Sequence, residues 1–272
     1  MKELTLREIQ LGELGVLKKL KEICEDQGLR YFLFFGTLLG AIRHKGFIPW
    51  DDDVDVGMPR EDYEKLLGYF RENSDALLPF RLMHFSTNEN YIYPIARICD
   101  TRYQVDYSET KEYGLGLFID IYPFDGWGDT EEDGERIYRQ AAADRSKVFL
   151  SGLEHFVPSH SAAWRTPIKW VAYQIAKLHP ANYYAKKLDN FAKRTPYENC
   201  RYVGCTSWAD SLRERVDKTL LETISWRFED EDFAIPVGYD AILRKEYGDY
   251  MQLPPEEDRV GHHYYKAYRK DS

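Results

Sequence analysis

Cysteine is scarce, and what there is makes no metal framework. Cys24, Cys99, Cys200 and Cys205 show no C-x-x-C spacing, so the expectation is four reduced, buried thiols and no zinc site. Long apolar runs are missing too. Residues 1–8 are already charged and amphipathic and no later stretch could fill a bilayer. Neither a signal peptide nor a spanning helix is therefore expected, and the chain reads as a soluble, cytoplasmic protein. Positive charge is in deficit: 37 Lys and Arg stand against 46 Asp and Glu, a net charge of -9. That balance argues against general binding to nucleic acid or to an anionic membrane, and any bound anion must be handled by a local basic cluster. No internal repeat and no low-complexity segment occurs. What remains is a 272-residue chain, 43% hydrophobic and rich in aromatic residues. It can bury a full core, and its rings suit a pocket that stacks a base or holds a quaternary ammonium, although most will be packing residues.

The informative stretch is residues 35–58. The apolar run 31–35 predicts a buried strand that breaks at Gly36, and a short helical segment follows, ending in Arg43, His44 and Lys45. After a loop come Asp51, Asp52, Asp53 and Asp55, the last two alternating with Val54 and Val56. Period-two alternation puts Asp53 and Asp55 on one face of a strand. Two such carboxylates repel each other unless a cation lies between them, and their apolar neighbours make an unpaired charge costly. A metal site therefore outweighs a solvated turn. Asp51 is a supporting carboxylate, and Asp52 reads as a loop residue.

Elsewhere the apolar spacing predicts amphipathic helices over 5–27 and 61–73, and strands over 80–85, 92–99 and 102–107. This is an α/β order. Arg97 sits in an apolar strand and needs an anion: either a carboxylate such as Asp100 or Asp106, or a ligand phosphate. Asp120, inside a strand that should run beside the one bearing Asp53 and Asp55, is either a third metal ligand or the partner of Arg97 or Arg43. Asp125 precedes Gly126 and reads as a turn. Residues 129–199 predict three helices, over 131–150, 164–178 and 183–194, whose Arg165, Lys169, Lys177, Lys186 and Lys187 mostly mark solvated faces. Partial contact with a membrane-borne substrate is compatible with them but not demanded. A strand over 201–207 and a helix ending at Tyr247 follow. The adjacent His262 and His263 cannot both face one metal from a regular element, and read as a phosphate contact or a surface turn. The division expected is a catalytic core over 1–128, a helical accessory region over 129–199 and a segment over 200–272 that returns to the core.

Three runs together carry a resemblance: residues 35–56, residues 118–126 and residues 247–255. In them Gly36-Thr37, the Asp51–Asp55 cluster, Phe118-Ile119-Asp120 and Tyr247-Gly248-Asp249-Tyr250 look like the LicD family of phosphotransferases, which includes phosphorylcholine transferases and is related to the fukutin-type enzymes. The resemblance implies a nucleotidyltransferase-like mixed sheet flanked by helices, with a helical accessory region shaping the acceptor cleft. It implies Asp53, Asp55 and Asp120 as catalytic and metal-holding carboxylates for one or two Mg2+ ions, with Mn2+ able to substitute. Gly36, Thr37, Arg43, His44, Lys45 and Arg97 become the phosphate and nucleotide contacts. Trp50, Asp51, Tyr122, Trp127 and Trp208 are candidates for a choline pocket. The implied donor is CDP-choline, and the acceptor a sugar hydroxyl of a teichoic acid precursor or other surface glycan at the inner face of the membrane. Alternatives are a nucleotidyltransferase on the same triad, a transferase using CDP-linked ethanolamine, ribitol or glycerol, and a silent glycan-binding module.

Overall fold

A computed structural model describes residues 2–107, 115–153, 155–158, 163–180, 182–261 and 265–270; His262 and His263 lie outside the described residues. After β1 (Lys2–Glu3), helix α1 (Leu6–Gln27) opens with a capping box: Glu8 N–H donates to Thr5 Oγ1 while the Glu8 carboxylate accepts from Thr5 N–H. It closes at Gly28, whose φ of 64° is the left-handed cap that glycine adopts freely. Then come β2 (Phe32–Leu33), α2 (Phe35–Arg43), β3 (Asp55–Pro59), α3 (Arg60–Glu72), β4 (Phe80–Met83), β5 (Ala96–Asp100), β6 (Tyr103–Tyr107) and β7 (Leu117–Gly126). The helices α4 (Glu131–Gly152), α5 (Thr166–Ala176) and α6 (Tyr183–Ala192) precede β8 (Tyr202–Gly204), β9 (Val216–Asp217), β10 (Thr223–Phe228), β11 (Glu231–Pro236), α7 (Tyr239–Tyr247) and β12 (Tyr265–Arg269).

The main sheet runs β2-β3-β7-β5-β4, with β8 and β9 extending it from the far end of β7. Only β3 and β7 are parallel, so this is a mixed α+β fold. Strand β7 is buried along all ten residues and forms its spine. The apolar stripe of α1 (Leu14, Leu17, Leu20, Ile23) shares one core with Phe32, Val56, Ile119, Ile121 and Phe124 of the sheet. A second sheet, β1-β12-β6, flanks α1, and β10-β11 form a hairpin. The three middle helices have a small core of their own: Ala141, Val148, Ala176, Tyr184 and Leu188.

Three local expectations change. The strand expected over 31–35 shrinks to Phe32–Leu33, because α2 begins at Phe35, whose φ is 45°. Strand β3 begins at Asp55, so Asp53 belongs to the loop before it, and alternation along a strand is not what brings the two together. Asp125 is not a turn residue. It is fully buried in β7, and Arg60 donates to it from Nε (2.7 Å) and Nη2 (2.8 Å) while reaching Asp189 of α6 from Nη1 (2.7 Å). That network fastens the helical region to the sheet.

Candidate active site

Two hydrogen bonds, one between backbone groups and one from a backbone N–H to a side-chain hydroxyl, staple the start of α2 to the start of β3. Phe34 N–H donates to Asp55 O at 3.0 Å, and Asp55 N–H donates to the buried Thr37 Oγ1 at 2.8 Å. The Thr37 hydroxyl therefore places Asp55. Gly36 allows the acidic loop to close on the helix: a Cβ there would stand 3.0 Å from Asp51 Oδ2. Beneath the loop, Gln10 Nε2 donates to Asp51 O (2.8 Å), and the Tyr265 hydroxyl lies 3.1 Å from Asp52 O and 3.2 Å from Glu13 Oε1. The parallel register then sets Asp55 directly against Asp120.

These neighbouring carboxylates are compensated very differently. Asp120 is held by Arg97 across the β5–β7 pair, Nε to Oδ1 at 2.6 Å, and the guanidinium lies 4.2 Å from the ring centroids of both Tyr93 and Phe118. Arg97 thus pairs with Asp120, the salt bridge that is the alternative to a third metal ligand at Asp120, while Asp100, one carboxylate expected for Arg97, is held by Arg102. Asp55 is pushed well above the usual carboxylate range, first by burial and then by Asp53 and Asp120, with the Tyr122 hydroxyl bonding to it in opposition. Glu13, on the inner face of α1, is raised likewise by burial and by Asp53, Asp52 and Asp51. Negative charge is therefore in local excess around Asp51, Asp53 and Asp55.

That excess opens into a cleft of about 710 Å³, lined on one side by Trp50, Asp51, Asp53, Asp55 and Arg43 and on the other by the segment from Tyr247 to Asp258. The volume suits a nucleotide-sized ligand, within the roughly 300–1,000 Å³ common for small-molecule sites. Arg43 donates to Tyr250 O (2.9 Å), and its pKa is lowered by burial and by the nearby Arg259. A second cation, Arg259, thus stands near the Arg43 that lines the acidic cleft.

A curated relative decides the family. The chain is 32% identical to "Lipopolysaccharide cholinephosphotransferase LicD" of Haemophilus influenzae over 98% of this chain and 99% of that protein. The chain belongs to the LicD family. The family model described as LicD/FKTN/FKRP, nucleotidyltransferase domain, matches residues 28–158, which span the stapled helix, the aspartates and the Arg97–Asp120 pair. Human "Ribitol 5-phosphate transferase FKRP" is 32% identical over 48% of this chain and 24% of its own length. An uncharacterized protein of Rickettsia typhi is 30% identical over 43% of this chain and 35% of its own length.

The other residues proposed from the LicD resemblance fall into separate settings. Lys45 is exposed with a φ of 59°, and His44 accepts from Arg43 Nε at 2.9 Å; neither lines the cleft, so of the basic triplet Arg43 alone does. Trp50 lines the cleft with Arg259 5.7 Å from its ring. Tyr122 and Trp208 pack together at 6.0 Å, on a path that continues to Phe149. Trp127 is fully buried with its Nε1 donating to Thr206, so it belongs to no choline pocket. Gln10, Glu13 and Arg259 are the residues not anticipated, and Tyr247, which lines the cleft and belongs to a run that carries the resemblance, has no role among those the resemblance implies. Gln10 and Glu13 carry one sequence signal, two polar residues within the apolar stripe of α1.

Among the described residues, no three His, Cys, Asp or Glu groups form a ready metal cluster. With Asp120 engaged by Arg97, the set that fits a hard divalent cation is Asp53 and Asp55, oxygen donors whose mutual repulsion a cation would relieve.

Proposed function

We propose that this LicD-family chain is a magnesium-dependent phosphotransferase that moves phosphocholine from CDP-choline to a sugar hydroxyl of a surface glycan. The observation that carries this is the nearly full-length similarity to a lipopolysaccharide cholinephosphotransferase, together with the excess of carboxylates facing Arg43 in one cleft. Asp53 and Asp55 would hold the cation, which supplies charge neutralisation for the donor's diphosphate. Arg43, Arg259 and the amides at the start of α2 orient the phosphates. The acceptor oxygen forms a bond to the phosphorus that carries choline, the bond from that phosphorus to the CMP oxygen breaks, and CMP leaves. Asp51, the third carboxylate on the same wall of the cleft as Asp53 and Asp55, takes the acceptor proton. Asp120 acts through Arg97 and Asp55 as a positioning residue.

A second donor is favoured by two specific observations. The chain is similar to a ribitol 5-phosphate transferase, and the aromatic candidates do not converge into one cage. The test is release of CMP from a panel of CDP-choline, CDP-ethanolamine, CDP-ribitol and CDP-glycerol, with acceptor glycan and magnesium. CMP from CDP-choline, abolished by EDTA, is the expected result. Pyrophosphate release, or turnover of CDP-ribitol alone, overturns the choline assignment.

A further inference from the structure

Helix α5 carries its apolar residues outward. Ile168, Val171 and Ile175 of the helix, with Trp164 in the short 3-10 turn before it and Leu178 in the turn after it, recur at steps of four, three, four and three, which makes one apolar stripe along α5 and its two ends. All are exposed, Trp164 at 70%, Ile168 at 64% and Leu178 at 77%, and Trp170 beside them is 49% exposed. Within the helix only Ala176 is buried. In an ordinary surface helix this stripe would face the core. Here the inner side is made by small and polar residues, and the large side chains meet solvent.

A second, independent observation concerns charge. The chain as a whole carries -9, yet from residue 155 to residue 188 there is no Asp or Glu, while Arg165, Lys169, Lys177, Lys186 and Lys187 are all present. Lys177 also reaches back to Ser151 O, and Lys187 to Asp144, so part of this charge is anchored to α4. An exposed apolar stripe bordered by basic residues, with no acid in residues 155–188 themselves, complements an anionic lipid surface. A second copy of the chain would set like charges against each other. At 11 residues α5 is far too short to cross a bilayer, and no helix among the described residues is long and apolar enough to do so.

We infer that α5 is a membrane-docking helix that lies in the headgroup region of an anionic phospholipid bilayer, with Trp164, Ile168, Val171, Ile175 and Leu178 inserted and the basic residues at headgroup level. The helix packs on α4, whose Phe149 meets Trp208 at a tilt with ring centroids 5.6 Å apart, and Trp208 in turn meets Tyr122, the hydroxyl partner of Asp55. Docking through α5 therefore holds the catalytic cleft at a fixed relation to the bilayer. Given the function proposed above, the acceptor class is a glycan carried on a lipid. The docking itself does not depend on which head group is transferred.

The test is flotation of the full chain with vesicles of phosphatidylglycerol and phosphatidylcholine, and with phosphatidylcholine alone, without substrate. Binding to the anionic vesicles, a blue shift of tryptophan fluorescence and weakening in high salt are expected. Ile168→Glu with Ile175→Glu should reduce vesicle binding at least tenfold, and Arg165→Gln with Lys169→Gln should remove most of the preference for anionic lipid. Both pairs are at exposed or half-exposed positions, and an unchanged thermal melt confirms folding. No flotation with anionic vesicles, or flotation indifferent to the Ile168→Glu/Ile175→Glu pair, overturns the inference. A dimer in sedimentation that this pair dissolves, without vesicle binding, assigns the stripe to self-association and also overturns it. Since no donor is present, the outcome is separate from the assay of CMP release.

Discussion

Strand β7 treats its two buried aspartates alike, and the strand beside it does not. Asp120 and Asp125, five residues apart and so on opposite faces, each receive a buried arginine, Arg97 and Arg60. Asp55, paired in register with Asp120, has a tyrosine hydroxyl and two more carboxylates instead. A buried ion pair is neutral within itself and holds elements in place. A buried cluster of one sign is unfavourable until something positive enters, which is the property expected of a binding site. The contrast separates architecture from chemistry on adjacent strands of one sheet.

The most direct way to break this contrast is Asp55→Asn. It keeps the amide bond to Thr37 and removes one charge from the cluster. Transfer should fall on the order of 10³-fold, while stability without divalent metal should rise by about 1 kcal/mol, roughly 2–4 °C in Tm for a chain of this size. An unchanged rate would remove Asp55 from the chemistry. At Arg60 the opposite sign is expected. Arg60→Met strands Asp125 and Asp189 and should cost about 3–5 kcal/mol in denaturant unfolding, and adding Asp125→Leu should restore part of the loss. If Arg60→Met melts like the native chain, the network is not what fastens the helical region to the sheet.

Glu214 sharpens the comparison because backbone N–H groups, not an arginine, hold its carboxylate, and Glu246 and Asp210 only add to what burial does. One oxygen accepts from the backbone N–H groups of Asp210 (2.6 Å) and Ser211 (3.2 Å), the other has no partner, and burial raises its pKa to about 7. The folded protein therefore keeps a proton that the unfolded chain releases from its ordinary value of 4.5 upward. The resulting stabilisation is complete below that value and is lost as pH rises through about 7, a difference of about 3 kcal/mol. Unfolding measured at pH 5 and pH 8 should show this slope, and Glu214→Gln should flatten it. An identical slope in the variant would place the titration elsewhere.

Much of the site was legible before the fold was known, because Asp53 and Asp55 among valines are locally anomalous. The pairing of β3 with β7 followed from the matching anomaly at Asp120. What stayed hidden depends on distance along the chain. The pair Asp125-Gly126 has the local signature of a turn, and only Arg60, sixty-five residues away, turns it into a buried strand position. Gln10 and Glu13 leave one trace, two polar residues on the inner face of α1, but nothing local says that they lie beneath the loop of Asp51 and Asp52. Arg259 has no pattern of its own, and its place near Arg43 is set by the path of the segment after Tyr247. The outward stripe of α5 is periodic in sequence, but periodicity does not say which side faces the core.

The staple between α2 and β3 also has a kinetic meaning. The acidic wall is fixed by Phe34, Thr37 and Gln10, two of them through bonds to the backbone of Asp55, whereas the facing wall is tied by Arg43 to Tyr250 O and by the Tyr250 hydroxyl to Asp240. The second wall is therefore the one expected to move when a ligand enters. Amide exchange should be slow at Asp55 and fast across residues 249–258 in the free protein, and the faster set should slow when a nucleotide fills the cleft.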